Sequence, residues 1–205
     1  NALAVRIKTD SASDALVNKY RAIIIAKPLQ TFAERDKFLI DQFIMRGGKV
    51  LWLVEPVFAS MDSLKEHNAT MGIPNATNLE DMLFNYGVRL NANLVQDLNA
   101  LPIPVKTGQV GNQPQFDFFK WFFFPVIIPS LTHPVVNGLN AVKTEFAGSV
   151  DTVTADGIKK TVLLQTSPYA RALNAPVYID LEILKQQPDQ RAFNKGPYPV
   201  AVLLE

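Results

Sequence analysis

Cysteine is absent from the 205 residues. That excludes thiol nucleophiles, disulfides and thiolate metal sites together, and leaves the redox compartment open. Histidine is nearly as scarce. His67 and His133 are the only two, they do not form an i, i+4 pair, and His133 precedes Pro134, which favours a turn or extended position. No spacing of carboxylates suggests zinc. Long apolar runs are also missing: the longest, Trp121 to Ile128, is interrupted by Pro125 and falls short of the roughly 18 residues a spanning helix needs. Charge of one sign is not in excess. A net charge of +1 gives no argument for nucleic acid or an acidic membrane surface as partner.

Signature motifs are missing as well. No Gly-x-Gly-x-x-Gly follows a strand-like run, and Lys27-Pro28-Leu29-Gln30 stands where a phosphate-cradling loop would sit. There is no Walker A sequence and no Gly-x-Ser-x-Gly elbow; Ser167 lies in Thr166-Ser167-Pro168, a turn-like setting. No cofactor, metal site or catalytic residue is expected from these patterns.

What is present starts at Tyr20 to Pro56. Ala22-Ile23-Ile24-Ile25-Ala26 and Lys49-Val50-Leu51-Trp52-Leu53-Val54 are apolar runs without alternation, as in strands buried on both faces of a parallel sheet. Between them, Thr31 with Glu34 reads as a capping box, and Gly47-Gly48 as a helix stop. Phe32, Leu39, Ile40 and Phe43 share one helical face. The whole reads as a strand-helix-strand crossover.

Around it, Leu3, Val5 and Ile7 alternate as a half-exposed strand, and a short helix is expected within Asp10 to Tyr20. Phe58 to Ala76 reads as a long loop with one helical turn near Asp62 to Glu66. Thr77-Asn78-Leu79-Glu80 repeats the capping pattern ahead of a helix stopped by Gly87. Short strands are expected at Val88 to Leu90 and Asn93 to Gln96, then a connection rich in Pro, Gly, Asn and Gln from Leu98 to Gln115. The remainder reads as β-rich over Lys143 to Thr154, Lys160 to Thr166 and Pro199 to Leu204, with a hairpin turn at Asp156-Gly157. Leu181 to Gln186 fits either a strand or a helix.

Two features stand out as candidate sites. Glu55 ends an apolar strand, where open α/β sheets place their ligand crevice; it could line one, or could hydrogen-bond nearby backbone amides. The aromatic run Phe116 to Pro125 suits a core strand, or an apolar patch meeting a partner through Phe119, Trp121 and Phe123. Only Lys120 accompanies these aromatics, so base stacking on nucleic acid is disfavoured. The chain begins at Asn1 without methionine and ends one residue after the run Val200 to Leu204, so a piece of a longer protein is expected, with any signal or anchor outside it.

Tyr20-Arg21-Ala22-Ile23-Ile24-Ile25-Ala26-Lys27-Pro28, Phe38-Leu39-Ile40-Asp41-Gln42-Phe43-Ile44 and Gly47-Gly48-Lys49-Val50-Leu51-Trp52-Leu53 resemble the GldG family of gliding-motility, ABC-transporter auxiliary proteins of Bacteroidetes. The resemblance continues through Leu83 to Val88, His133-Pro134-Val135-Val136, Leu163 to Pro168 and Gly196 to Val202. It implies an α/β fold like that of class I glutamine amidotransferases (flavodoxin-like): a mainly parallel sheet flanked by helices, with a β-rich C-terminal part, related to the GIFT domain of intraflagellar transport. The expected organisation is one domain over 1–205, with an α/β core at 1–97, a connection carrying the aromatic run at 98–140 and a β-rich completion at 141–205. The amidotransferase nucleophile is a cysteine, which this chain lacks, so no enzymatic activity is implied. The family implies a membrane-anchored protein at the periplasmic face of the bacterial inner membrane, with an ABC permease and ATPase as partners. A second copy of the chain is a further candidate partner. The alternative function is an extracytoplasmic ligand- or glycan-binding, or glycan-processing, domain with a crevice near Glu55.

Overall fold

Ala22–Ala26 (β1) and Lys49–Leu53 (β2) pair in parallel, with Ile23 opposite Val50 and Ile25 opposite Trp52. A twelve-residue helix, Glu34–Met45 (α1), connects them. The structure, a computed structural model, describes residues 20–129, 133–185 and 188–205. It divides into two compact units, Asn1–Val54 with Ala76–Met82, and Glu55–Asn75 with Leu83–Glu205.

In the first unit the expected crossover forms, by a different start signal. Ala33 takes the N-cap position without a side-chain cap, while the Thr31 hydroxyl donates to the Ala76 carbonyl at 2.9 Å. Acidic residues Glu34 and Asp36 in the first turn suit the helix dipole. Lys37, Ile40 and Phe43 form the buried stripe, at a spacing of three. The helix stops where Gly47 adopts φ +86 and the Gly48 amide returns to the Phe43 carbonyl at 2.9 Å. Gly48 has a second duty: a Cβ there would lie 2.4 Å from the Phe43 ring.

The strands are not buried on both faces. Burial alternates along each, and Ile24 (64% exposed) and Leu51 (52%) lie opposite each other on the open side. An uncharged run shows that a strand can be buried on two faces; only its neighbours decide whether it is.

The second unit is built from short antiparallel pieces. In chain order they are Val57–Phe58 (β3), the helix Met61–His67 (α2), Ala69–Pro74 (β4), the helix Glu80–Asn85 (α3), Val88–Leu90 (β5), Asn93–Asp97 (β6), Ala100–Val110 (β7) and Gln113–Ile127 (β8). Val142–Lys143 (β9), Val150–Thr152 (β10), Lys160–Gln165 (β11), Ala170–Asn174 (β12), Val177–Asp180 (β13) and Pro199–Leu204 (β14) follow, with single 3-10 turns at Leu181–Lys185 and Gln190–Ala192. The first three residues of α3 fall in the first unit. Strand orders are β10-β5, β11-β14, β12-β6, β13-β4-β3 and β7-β8-β9, and every one of these pairings is antiparallel.

This overturns the expected mainly parallel, amidotransferase-like (flavodoxin-like) sheet flanked by helices. Among the described residues only β1 and β2 are parallel. The reason lies in the connections. A parallel neighbour needs a crossover of a dozen or more residues, and α1 is the one described helix that long. Downstream, two residues separate β5 from β6, β6 from β7, β7 from β8 and β12 from β13.

Other expectations shift with the topology. The loop expected over Phe58 to Ala76 holds α2, capped by Ser60, and the strand β4. The expected connection Leu98 to Gln115 is largely β7. Gly157 does turn the chain at φ +71, yet β10 and β11 on either side of it pair with β5 and β14 and not with each other. The strand expected at Leu3 to Ile7 lies outside the described residues, as does the helix expected from Asp10, apart from Tyr20. The core of this unit gathers Val57, Leu64, Leu94, Trp121, Phe123, Phe124, Phe146, Val177 and Ile179. Its aromatic members touch: Trp121 and Phe123 centroids lie 5.3 Å apart, and Phe124 meets Phe146 edge-on at 5.4 Å.

Candidate functional site

The β7–β8 hairpin divides the aromatic run into two environments. Trp121 through Pro125 is buried on both faces, whereas Gln113 through Phe118 is exposed on both. Trp121 is 0% exposed and Phe123 2%, both within the core, and Phe119 is half-buried. Two of the three aromatics predicted as partner contacts therefore face inward. The surface aromatics of the same run are Phe116 (52% exposed) and Phe118 (72%), two residues apart and hence on one face of the strand. No local pattern marks them as exposed: Gln113, Gln115 and Asp117 alternate with Pro114, Phe116 and Phe118, which reads as a strand with its apolar face buried, whereas both faces are exposed here.

Prolines fix which backbone groups of the hairpin point outward. Pro102 is opposite Lys120, Pro104 opposite Phe118 and Lys106 opposite Phe116. Proline cannot donate to the ladder, so these are the pairs whose amide groups point away from the partner strand. The outer edge of β7 consequently has no N–H at Pro102 or Pro104. The outer edge of β8 keeps both N–H and C=O at Phe116, Phe118 and Lys120, and no described backbone group outside the hairpin bonds to them. Nearer the core the β8 edge is occupied, since Thr144 and Phe146 donate to the Pro125 and Phe123 carbonyls at 3.0 Å each. Toward the tip, the Thr107 hydroxyl bonds Asp117 across the hairpin at 2.7 Å.

Beside β7 lies an open groove of about 520 Å³, lined by Leu101 to Val105, Met61, Leu64, Phe124 and Leu181, with Lys65 and the ion-paired Lys143 and Glu145 at its polar positions. Glu55 does not line it. Glu55 is half-buried at the end of the second apolar run, and its backbone carbonyl accepts from the Asn75 side chain at 3.0 Å.

Sequence reasoning missed a buried polar cluster. Asp97 at the end of β6 is 0% exposed. Its carboxylate accepts from the Ser167 amide at 2.7 Å, the Ser167 hydroxyl at 2.6 Å and the Asn99 amide at 2.8 Å. The same hydroxyl accepts from the Tyr169 amide at 3.1 Å. A serine proton held by a carboxylate fixes the turn after β11; no imidazole stands in position to take it, and His133 serves its own turn, accepting from the Val135 amide at 3.2 Å. Among the described residues no group of His, Asp and Glu could hold a metal ion. Among those same residues, no helix is long and apolar enough to cross a membrane.

The family described as "ABC-type uncharacterized transport system" matches the chain over residues 3–205. No curated protein matches it. Among solved structures, the mmIFT52 N-terminal domain is similar at 17% identity with a TM-score of 0.49, over 83% of this chain and 63% of that one. The chain thus spans less than two thirds of that solved chain.

Proposed function

The chain belongs to the ABC-type uncharacterized transport system family, and from that premise we propose that it is a non-enzymatic, periplasmic interaction module of the GldG kind. Its place is in a gliding-motility or secretion complex, held by anchors outside this segment and joined to an ABC permease and ATPase. The transporter-associated role follows from the family; the partners, the compartment and the absence of chemistry are our reading. The observation that carries it is the extent of the match, residues 3–205, which takes in nearly the whole of this chain and not one embedded motif.

A surface suited to a protein partner supports the reading. Parallel strands are ordinarily covered on both faces, yet Ala22, Ile24, Leu51 and Leu53 of the β1–β2 pair are exposed together. A permease subunit covering that face would complete the packing.

The test is purification of the tagged full-length protein from its native host, with mass spectrometry of what accompanies it. Recovery of an ABC permease and ATPase, lost in the Ile24→Asp, Leu51→Asp double variant with unchanged circular dichroism, is the expected result. Failure to recover any transporter component, under conditions that preserve another membrane complex, overturns the proposal.

A further inference from the structure

We infer that the outer edge of β8 between Phe116 and Lys120 is a pairing surface for a second copy of this chain, arranged antiparallel with Phe118 on the two-fold axis. The inference is independent of the transporter reading. It starts from the asymmetry of the hairpin's two edges. An unpaired edge strand is a template for another strand unless it is blunted, and proline is one of the devices that blunts it. Pro102 and Pro104 blunt β7. On β8 the outward groups of Phe116, Phe118 and Lys120 are unblunted, and two of their side chains are large and exposed.

The occupant is set by register. A two-fold axis normal to the sheet pairs residues whose numbers have a constant sum. Centred on Phe118, the set 116, 118 and 120 maps onto itself, so each outward N–H and C=O of one copy meets one of the other, giving about six backbone bonds. No other centre does this. Centring on Phe116 sets Phe118 against Pro114, which has no N–H; centring on Asp117 places two carboxylates face to face; centring on Phe119 leaves Phe116 against Phe122, which is 8% exposed.

Side chains agree with the same register. Phe118 of each copy lies beside its equivalent, Lys120 of one copy, whose ammonium donates to the Leu98 carbonyl at 3.2 Å, lies across from Phe116 of the other, and Asp117 faces Phe119 rather than a like charge. Above the pairing segment Pro114 ends the available donors, and below it Phe146 already holds the edge at Phe123. The open stretch is therefore five residues long, and its own sequence fits it.

Sedimentation equilibrium of the 205-residue chain, run over a wide range of concentrations, tests this against two exposed-site variants. The expected result is a reversible wild-type dimer, with Phe118→Lys raising its dissociation constant by at least about tenfold because two ammonium groups then meet on the axis. Ile24→Lys is expected to leave association unchanged, and circular dichroism to match wild type for both variants. A wild-type chain monomeric at every concentration overturns the inference. So does a dimer that survives Phe118→Lys, or one that Ile24→Lys dissolves instead.

Discussion

The Lys37 ammonium lies 2.8 Å from both carboxylate oxygens of Asp81 and 2.9 Å from Glu34, which ties α1 to the start of α3 within the first unit. Lys37 is buried. Its hydrogen bond to Asp81, then that to Glu34, raises its pKa above the usual lysine value. Lys37 in turn is the main cause holding Asp81 and Glu34 below the usual carboxylate range. The signs differ for the two kinds of group. The carboxylates contribute stability that is present above their unfolded pKa of about 4 and is lost as pH falls through the lower folded values; Lys37 contributes stability present below about 10.4 and lost as pH rises through its raised value. A melting temperature that falls at both extremes is therefore expected. Asp81→Asn should lower it at neutral pH and flatten the acid limb, as read by calorimetry across pH.

Asp97 and Ser167 make a second clasp, wholly inside the other unit. Removing the carboxylate leaves two backbone amides, those of Asn99 and Ser167, without their acceptor. Asp97→Ala should cost about 1–3 kcal/mol in urea unfolding, because the two amides that lose their acceptor are only partly buried and water meets part of their need. Ser167→Ala, which removes one hydroxyl and keeps the amide bond, should cost about 1 kcal/mol. The order of the two losses is the check.

The two halves of the aromatic run should respond differently to truncation. Trp121→Ala opens a cavity in the second unit's core, and a loss of about 3–5 kcal/mol is expected. Phe118→Ala removes an exposed ring and, at protein concentrations low enough for the chain to be monomeric, should stay within about 0.5 kcal/mol. Equal losses at the two sites, measured by denaturant unfolding, would contradict the division of β8 into core and surface halves.

That division also marks the limit of what the sequence made legible. The β1–α1–β2 crossover could be read because its apolar spacing, its glycine stop and its strand runs are local. The strand at Phe116 to Phe124 could be read too, but not where burial begins along it, since that depends on how far the hairpin runs past the core. Strand β7 was hidden because Pro102, Pro104 and Gly108 look like loop residues; they fit a strand here because prolines with outward nitrogens cost the ladder nothing. The parallel sheet was extrapolated from one crossover, whereas among the described residues the downstream strands pair antiparallel, β7 and β8 across a two-residue turn that allows nothing else. The Asp97 clasp spans 70 residues, and no local pattern announces a contact that distant.

Arg171 and Gln96 provide a last test, because neither side chain is fully satisfied by the other. They lie opposite each other on β12 and β6, the Arg171 Nε donating to Gln96 Oε1 at 2.6 Å, with the guanidinium 4.5 Å over the Phe193 ring. Burial pushes the Arg171 pKa down, and Gln96 Nε2, itself buried, has no hydrogen-bond partner among the described residues. Either single replacement removes the bond between them, Arg171→Met leaving the buried Gln96 amide and Gln96→Leu the half-buried guanidinium without its partner, and should cost about 1–3 kcal/mol. The double variant removes both polar groups and keeps the stacking surface on Phe193, so its loss should fall below the sum of the singles by about 1–2 kcal/mol. A double-mutant cycle by urea unfolding measures that difference. If the two losses simply add, the 2.6 Å bond contributes no coupling, and Arg171 is held by Phe193 and the charge of Asp189 instead.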